Sequence, residues 1–328
     1  MKKVMLTGVR PTGLLHLGHY VGAFEKFIEL QPSHENFLII SDLHMLTTRC
    51  SKEDIVSIRH NARKIIIDCI GMGVDPENTT FYLQSSIPEL SYIFVLLQNF
   101  MTVGRAKSTP SLSDISHYIG VDNIPMGLLA YPVLEAADIF SIQADTVSVG
   151  RDNIDHITIA REIVDRVNRA YEADFTVPEC ITGDKNHVIG LDGQEKMSKS
   201  LNNTIFISDD KSEVDNKVSQ IPWKSWTYGL KANPIMEYLR TFESNEDIVE
   251  NLSKRFLDGQ DVENEAREQV KVALNNLLVP MRKRVVQYES NPELVDEILR
   301  AGSFKVRKRV SENLKRLKKS LGMFNCFE

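Results

Sequence analysis

Several features that would assign this 328-residue chain to a specialised class are missing from its sequence. Its few cysteines lie far apart, so neither a C-x-x-C metal or redox motif nor a disulfide framework is expected. No apolar run approaches the ~20 residues that span a bilayer, and the first residues reach glycine and proline before a signal-peptide core forms. These absences predict a soluble, cytoplasmic protein whose thiols are incidental: Cys50, Cys69, Cys180 and Cys326.

An overall positive charge is missing as well. The chain has 39 basic and 45 acidic side chains, a net charge of −6. Residues 301–328 alone hold eight basic and two acidic residues, so the preceding part of the chain is strongly acidic. Any contact with a polyanion should therefore depend on local patches. With 42% apolar and 26% charged residues the composition is that of a globular protein, and the length predicts about two domains.

The first part of the chain alternates strand and helix patterns. Short apolar or β-branched runs at residues 3–7, 37–41 and 80–84 are typical of buried strands. Between them, apolar residues recur at helical spacing over residues 20–28 and 55–70. This order predicts a Rossmann-like parallel α/β sheet with right-handed crossovers, and a nucleotide site at the carboxyl ends of its strands.

The sequence becomes polar and helix-forming after about residue 205. Helical patterns cover residues 247–257 and 262–288, and Pro280 is expected to kink or divide the second. A last amphipathic helix at residues 306–321 carries an apolar stripe opposite its basic residues. These patterns predict an α/β domain at residues 1–205 and an all-helical domain at residues 206–302. A terminal helix at residues 303–328 is expected to pack back on the first domain.

A glycine-rich segment with two histidines follows the first predicted strand and opens the next helix. In residues 8–19, GVRPTGLLHLGH, proline and glycine turn the chain off the strand, and Gly18 lets the backbone approach a ligand. A helix N-terminus adds free N–H groups and a positive dipole end, which favour phosphate. His16 and His19 are three residues apart and can direct two imidazole donors toward a transferring phosphoryl group.

A second segment, Lys-Met-Ser-Lys-Ser at residues 196–200, has glycine and asparagine around it, which indicate a mobile loop. Its lysines and hydroxyls can close over phosphates, with Lys196 and Lys199 offsetting charge on leaving pyrophosphate. A solvated basic loop is ordinarily the simpler interpretation. Here the five-residue match stands in the same chain as the histidine motif, which favours phosphate binding.

Together the two segments resemble the HIGH and KMSKS signatures of class I aminoacyl-tRNA synthetases. Residues 42–47, 131–139 and 147–152 are similar to tryptophanyl-tRNA synthetase motifs and occur in that family's order. The resemblance covers residues 1 to about 200 and extends more weakly to the end. It implies that L-tryptophan reacts with Mg-ATP to give an enzyme-held adenylate and pyrophosphate. Tryptophan is then transferred to the terminal adenosine of tRNA(Trp), and the enzyme is a homodimer. By the same resemblance, residues 1–205 form the catalytic domain and residues 206–302 bind the tRNA anticodon.

The resemblance also implies which residues act. Catalysis is expected from His16, His19, Lys196 and Lys199. Asp138 would accept the indole N–H, a group that only donates, and Tyr131 would lie near the α-amino group. No protein-held metal site is expected. The other predicted ATP-binding residues are Arg10, Thr12, Gly18, Gly150, Asp152, Met197, Ser198 and Ser200, and the other tryptophan-binding residues are Gly8, His44, Glu135, Ile139, Val147, Val149 and Asn153.

The chain departs from the family pattern at three places. Asn153 stands where glutamine is usual, and Glu135 stands where methionine or glutamine is common. Residues 107–113 replace a stretch that supplies a further lysine to ATP. Arg105 and Lys107 are the candidates to replace that lysine.

Three other functions stay open from the residues. A tyrosyl-tRNA synthetase shares the fold and both signatures, although the motifs around His44 and Asp138 favour tryptophan. A small-molecule nucleotidyltransferase also positions phosphates with H-x-G-H, but it needs no long helical domain. A synthetase-like binding protein is disfavoured because both histidines and both lysines are present. Without their motifs, Asp138 would fit a cap or ion-pair partner, and Tyr131 and the valines would fit a core.

Two surfaces are predicted for macromolecular partners. The apolar residues 91–103 form a wide helical stripe that is expected to be a dimer seam, with burial inside the subunit as the alternative. The stripe consists of Ile93, Phe94, Leu96, Leu97 and Phe100. Basic side chains in the helical half are expected to bind tRNA phosphates, with a solvated helix as the alternative. The candidates are Lys271, Arg282, Lys283, Arg284 and the cluster at residues 305–319.

Overall fold

The computed structural model describes residues 2–110, 124–185, 187–193 and 196–324. Their strands are β1 Val4–Val9, β2 Glu35–Ile40, β3 Thr79–Leu83, β4 Thr146–Ser148 and β5 Glu179–Ile181. They pair in parallel, in the order β3-β2-β1-β4-β5. The predicted Rossmann-like α/β class is confirmed. The sequence patterns did not indicate β4 and β5, because three residues are too few to establish a period.

Both faces of the sheet are covered, as a parallel sheet requires. Alternate residues of β1 and β2 enter two different cores, because successive side chains of a strand point to opposite faces. Met5 and Leu38 belong to one core, and Leu6 and Phe37 belong to the other. This double burial explains why these strands are apolar throughout, without a polar alternation.

The strand order reverses on either side of β1. β1 pairs with β2 over its whole length and with β4 at Met5 and Leu6. The loops that follow β1 and β4 therefore diverge and leave a crevice at the carboxyl edge of the sheet. Thr7 holds the two strands together there, since its Oγ1 donates to the Ser148 carbonyl at 2.9 Å. The crevice brings residues 8–19 and 150–153 to the same edge of the sheet.

The helices of the first part pack around this sheet. Tyr20–Phe24 forms a π-helical turn that joins the first two α-helices. The α-helices are α1 Leu17–His19, α2 Glu25–Leu30, α3 Asp42–Leu46, α4 Lys52–Met72, α5 Pro88–Leu97, α6 Val103–Lys107, α7 Met126–Ile142 and α8 Ile154–Tyr171.

The later part of the chain is helical. Its α-helices are α9 Lys211–Gln220, α10 Pro234–Phe242, α11 Glu246–Leu257, α12 Glu263–Glu289 and α13 Pro292–Ser320. The expected division at Pro280 is wrong, because α12 runs through it as one helix. Packing against α4 supports this stretch: a Cβ on Gly71 would lie 2.5 Å from the Val285 Cγ2, and Arg284 Nε donates to the Gly71 carbonyl at 2.9 Å.

The long helix α13 lies on the edge strand β3. A Cβ on Gly302 would lie 1.9 Å from the Phe81 carbonyl oxygen, so only glycine permits this approach. The stripe that faces the sheet core consists of Val306, Val310, Leu314 and Leu317. The predicted boundary between residues 302 and 303 lies inside this one helix, and the domain division stays a prediction.

Two further sequence expectations concern membranes and thiols. Within the described ranges, no helix is long and apolar enough to cross a membrane. Cys50 is exposed, Cys69 is buried and Cys180 is partly buried, and each is a free thiol. Cys326 lies outside the described residues.

Candidate active site

The two histidines of the H-x-G-H turn hold each other in place. His16 caps α1, and its Nδ1 accepts from the Gly18 N–H at 3.1 Å. The His19 Nδ1 accepts from the His16 N–H at 3.2 Å, and the two rings lie 3.9 Å apart between centroids. Because Nδ1 is an acceptor in both rings, each neutral imidazole carries its proton on Nε2. The turn therefore offers two fixed Nε2–H donors.

Burial keeps both imidazoles neutral. Desolvation, followed by the charges of Lys199 and Lys196, lowers the pKa of His16 to about 3. Desolvation, with smaller contributions from His16 and the same lysines, also lowers the pKa of His19 well below its usual value. At neutral pH the histidines thus act as uncharged donors, and the lysines supply the positive charge.

Lys199 closes the K-M-S-K-S loop onto the turn after β1. Its Nζ donates to the Thr12 carbonyl at 3.3 Å, the Thr12 Oγ1 at 3.2 Å and the Gly13 carbonyl at 3.4 Å. Burial, and then the charges of Arg49 and Arg10, lower the pKa of Lys199 to about 8. Partial burial beside other cations prepares this ammonium group for an anion.

The rest of the loop is held by its backbone and by Met197. The Met197 N–H donates to the Val188 carbonyl at 2.9 Å, and its side chain lies in the core, 1% exposed. This predicted ATP-binding residue is therefore an anchor for the loop. The hydroxyls of Ser198 and Ser200 lie 2.9 Å apart.

Lys196 and Asp152 pair with each other across the crevice. The Lys196 Nζ donates to the Asp152 Oδ2 at 2.7 Å, and both side chains are more than half exposed. The predicted roles, with Lys196 at the outer phosphates and Asp152 at the ribose, require this pair to separate when nucleotide binds. Gly150 lies in the loop after β4, where its carbonyl accepts from the Asn153 N–H at 2.9 Å.

Asp68 is a residue that the sequence reasoning missed. Its Oδ2 accepts from the Leu15 N–H at 2.9 Å, which ties the loop before His16 to α4. The carboxyl group is 1% exposed, and burial raises its pKa to about 6. The available signal was a carboxylate inside the otherwise apolar run of residues 65–70.

Asp138 lies at the centre of a buried hydrogen-bond cluster on α7. His44 Nε2 lies 3.1 Å from its Oδ2, and Gln84 Nε2 donates to both of its oxygens at 2.9 Å. The Gln84 Oε1 accepts from the Leu43 N–H at 3.0 Å, which orients the amide. Burial raises the pKa of Asp138, and these hydrogen bonds oppose that effect. A carboxylate has about four acceptor positions, so the cluster leaves room for one more donor.

A second buried chain of polar groups begins one turn earlier on α7. Tyr131 Oη lies 2.8 Å from His156 Nε2, and His156 Nδ1 lies 2.9 Å from Glu135 Oε2. The Tyr131 ring also meets His44 edge-on, with centroids 6.4 Å apart. Gln84 and His156 were both missed by the sequence reasoning, although Gln84 ends a predicted strand and His156 closely follows a predicted motif.

The remaining predicted tryptophan-binding residues divide between crevice and core. Ile139 and Val147 are buried in the core beneath the sheet, and Val149 is partly buried beside it. Asn153 is partly exposed after β4. Gly8 is the penultimate residue of β1 and pairs with Ile39 of β2, where a Cβ would lie 2.8 Å from the Ile39 Cγ2.

Arg105, a candidate to replace the missing ATP-binding lysine, pairs with a glutamate. Its Nε and one terminal nitrogen donate to Glu162 on α8, each at 2.9 Å. Lys107 is exposed, and the rest of the departing segment, residues 111–123, lies outside the described residues. The described ranges contain no group of three histidine, cysteine or acidic side chains suited to a metal ion.

A Rossmann sheet with an H-x-G-H turn at its switch point, closed by a K-M-S-K-S loop, defines a class I aminoacyl-tRNA synthetase catalytic domain. Comparison with known proteins agrees. A family model described as tRNA synthetases class I (W and Y) matches residues 2–279.

Individual relatives show which branch of this class the chain is most similar to among those compared. A tryptophan–tRNA ligase of Borreliella burgdorferi is 38% identical, covering 98% of this chain and 94% of the relative. One from Treponema pallidum is 36% identical, covering 97% and 96%. A Campylobacter jejuni tryptophanyl-tRNA synthetase, solved with ADP and tryptophan, has a TM-score of 0.81 at 29% identity, covering 98% of this chain and all of that one. The chain belongs to the class I tRNA synthetase family of tryptophan and tyrosine enzymes, in its tryptophanyl branch.

Proposed function

We propose that this chain activates L-tryptophan with Mg-ATP and transfers it to tRNA(Trp), and that it acts in the cytoplasm. The observation that carries the proposal is the buried Asp138 carboxylate, oriented by His44 and Gln84 and able to accept one further donor. The indole N–H of tryptophan is such a donor. Tyrosine, whose hydroxyl also donates, is the rival substrate, and the similarity to tryptophan–tRNA ligases favours tryptophan.

The reaction follows from the groups in the crevice. The tryptophan carboxylate attacks the α-phosphate of ATP, a new P–O bond forms, and the bond to pyrophosphate breaks. The Nε2–H groups of His16 and His19 donate to oxygens of the reacting phosphate. Lys199 and Lys196 offset the charge that develops on pyrophosphate, and Mg²⁺ accompanies ATP. Such positioning and charge stabilisation supply most of the catalysis in phosphoryl-type transfer.

The test is exchange of pyrophosphate into ATP with each amino acid in turn, without tRNA. We expect exchange with tryptophan and none with tyrosine or phenylalanine. Asp138→Ala should weaken tryptophan binding by about a hundredfold and lose discrimination, because a buried polar partner rejects analogues strongly. Asp247→Ala, on exposed α11, is the control and should leave exchange unchanged. Equal exchange with tyrosine would overturn the proposal.

The exposure of the side chains on α5 corrects the predicted dimer seam. Of the predicted stripe, Ile93 and Leu97 are buried inside the subunit, so they are not available. Phe94, Leu96 and Phe100 are partly buried against the same core. Tyr92, Val95 and Val103 are 40%, 60% and 60% exposed, and they form the apolar surface that supports a seam here.

The proposed tRNA surface is corrected as well. Arg282 donates to the Asp209 carbonyl at 2.6 Å and Arg284 to the Gly71 carbonyl, so both are internal ties of the fold. Lys271 pairs with Glu268. In the 305–319 cluster, Arg309 donates to the Ile142 carbonyl. Lys305, Arg307 and Arg316 are exposed but pair with Glu35, Glu89 and Asp174. The exposed candidates for which the described residues show no ion pair are Lys283, Lys308, Lys315 and Lys319.

A further inference from the structure

His156 has no assigned role in the reaction, although it links Tyr131 and Glu135, two of the predicted tryptophan-binding residues. Tyr131 and Glu135 lie one turn apart on α7, so they share the helix face that also carries Asp138. His156 stands in the first turn of α8, which packs against α7. Tyr131 and His156 are 9% and 5% exposed, and their rings meet edge to face with centroids 5.1 Å apart. The contacts of 2.8 Å and 2.9 Å make one continuous chain.

The chemistry of the three groups sets where the protons lie at the two contacts. A carboxylate only accepts, so His156 must carry a proton on the Nδ1 that faces Glu135. A neutral imidazole then has a lone pair on Nε2, which accepts the Tyr131 hydroxyl proton. With that proton committed to His156, the Tyr131 oxygen can only accept from its other partners.

A second proton on His156 reverses this arrangement. The Nε2–H then donates to the Tyr131 oxygen, and the hydroxyl proton turns away from His156. Tyr131 becomes a donor where it was an acceptor. The α-amino group of an amino acid is a donor at neutral pH, so only the neutral imidazole gives it a suitable partner.

We propose that His156 is a positioning residue, oriented by Glu135, that sets whether the Tyr131 hydroxyl accepts from the substrate α-ammonium group. This inference rests on the proposed function and on the predicted contact between Tyr131 and that group. It adds control by proton binding at a residue one step removed from the substrate.

The surroundings of His156 favour its protonated form. Desolvation lowers its pKa, but the hydrogen bond to Glu135 and the charges of Glu135, Asp152 and Asp155 outweigh it and raise the pKa above 6.5. The other groups that act on Glu135 are His44 from α3 and Arg10 from the turn after β1. The Cys180 thiol of β5 is also within the influence of Glu135.

The experiment measures tryptophan affinity from pH 5.5 to pH 8.5, by equilibrium binding and by KM in pyrophosphate exchange. In the wild type we expect affinity to weaken by about tenfold as His156 gains its proton, with little change in kcat or in the KM for ATP. His156→Gln has no titrating ring, so its profile should be flat, while His44 remains in place. His60→Gln removes an exposed histidine on α4 and should keep the wild-type profile.

A ligand without the amino group gives an independent readout. Indole-3-propionate keeps the ring and carboxylate of tryptophan, so its binding should not weaken as His156 is protonated. Parallel pH profiles for wild type and His156→Gln, or the same profile for tryptophan and indole-3-propionate, would overturn the inference. An enzyme that exchanges pyrophosphate with tyrosine but not tryptophan would instead overturn the proposed function.

Discussion

At the scale of single residues, burial decides the protonation of the groups around the nucleotide crevice. His16 and His19 lose their charged forms because their rings are desolvated beside lysines. Lys199 is partly buried beside Arg10 and Arg49, and the resulting pKa of about 8 lies close to physiological pH. Lys199 therefore connects the pH of the medium to the charge that can reach a phosphate.

Lys199→Ala should slow adenylate formation by about a hundredfold and leave tryptophan affinity almost unchanged, since it removes one charge that acts on the transition state. In the wild type, kcat/KM for ATP should fall as pH rises through about 8, because the ammonium group loses its proton. Lys199→Arg keeps its charge, so its kcat/KM for ATP should not fall over this pH range. The control is Lys185→Ala, an exposed lysine that pairs with Glu25. If tryptophan affinity fell as far as the rate, the assigned role would be wrong.

At the scale of secondary-structure elements, one hydrogen bond connects the catalytic turn to α4. The Leu15 N–H donates to Asp68, which sits among apolar side chains of the helix. A buried carboxylate is unfavourable for stability when ionised, and Asp68 also raises the pKa of Lys199. The ionised Asp68 at the junction between the catalytic turn and α4 therefore favours the charged form of Lys199, at a cost in folding stability.

Asp68→Asn should raise the thermal unfolding midpoint at pH 7.5. The folded-state pKa is raised from 3.8 to about 6, so the favourable contribution of Asp68 is fully present below pH 3.8 and is lost as pH rises through 6. The shift corresponds to at most about 3 kcal/mol. Asparagine keeps an oxygen for the Leu15 N–H without the charge, so its advantage should vanish near pH 4. Calorimetry between pH 4 and pH 7.5 measures the unfolding midpoint, with Asp184→Asn at an exposed position as the control. An equal rise in the midpoint of Asp68→Asn at pH 4 and at pH 7.5 would contradict this account.

At the scale of the whole molecule, the packing of helices decides which side chains stay available to partners. The apolar stripe of α13 lies on the sheet, so its basic residues divide between internal ties and exposed positions. The same packing buries one side of α5 and leaves Tyr92 and Val95 exposed. The solvent exposure of each side chain, and not its clustering in the sequence alone, therefore identifies the residues that can contact a partner.

Val95→Glu should convert a dimer to a monomer, because it puts a charge into the proposed apolar seam. Sedimentation velocity at micromolar concentration measures the change. Val286→Glu is the matched control, since Val286 is also 60% exposed but lies on α12. A wild-type chain that sediments as a monomer would remove the homodimer proposal, and a dimer unaffected by Val95→Glu would place its seam elsewhere.

Charge reversal on α13 should weaken tRNA binding and its dependence on salt. The triple variant Lys308→Glu, Lys315→Glu and Lys319→Glu changes exposed positions at helical spacing. Each lost phosphate contact should reduce the salt slope by about one. Tryptophan activation should stay intact, and Lys52→Glu, at the exposed start of α4, is the control. An unchanged slope and affinity in the triple variant and in Lys283→Glu would show that tRNA binds elsewhere.

The sequence by itself determined the α/β order, three of the strands and the two signature segments. Each of these is a local pattern, because strand and helix periods, glycine turns and the spacing of His16 and His19 are complete within a few residues. The family assignment followed from the same segments and was confirmed by the comparisons.

Only the tertiary structure decided the contacts between distant segments. β4 and β5 are strands because they extend an existing sheet, and Pro280 is tolerated in a helix that packs on α4. Asp68 and His156 gain their positions from partners that lie 53 and 25 residues away. Long-range hydrogen bonds and burial depend on how the elements pack, and no local period carries that information.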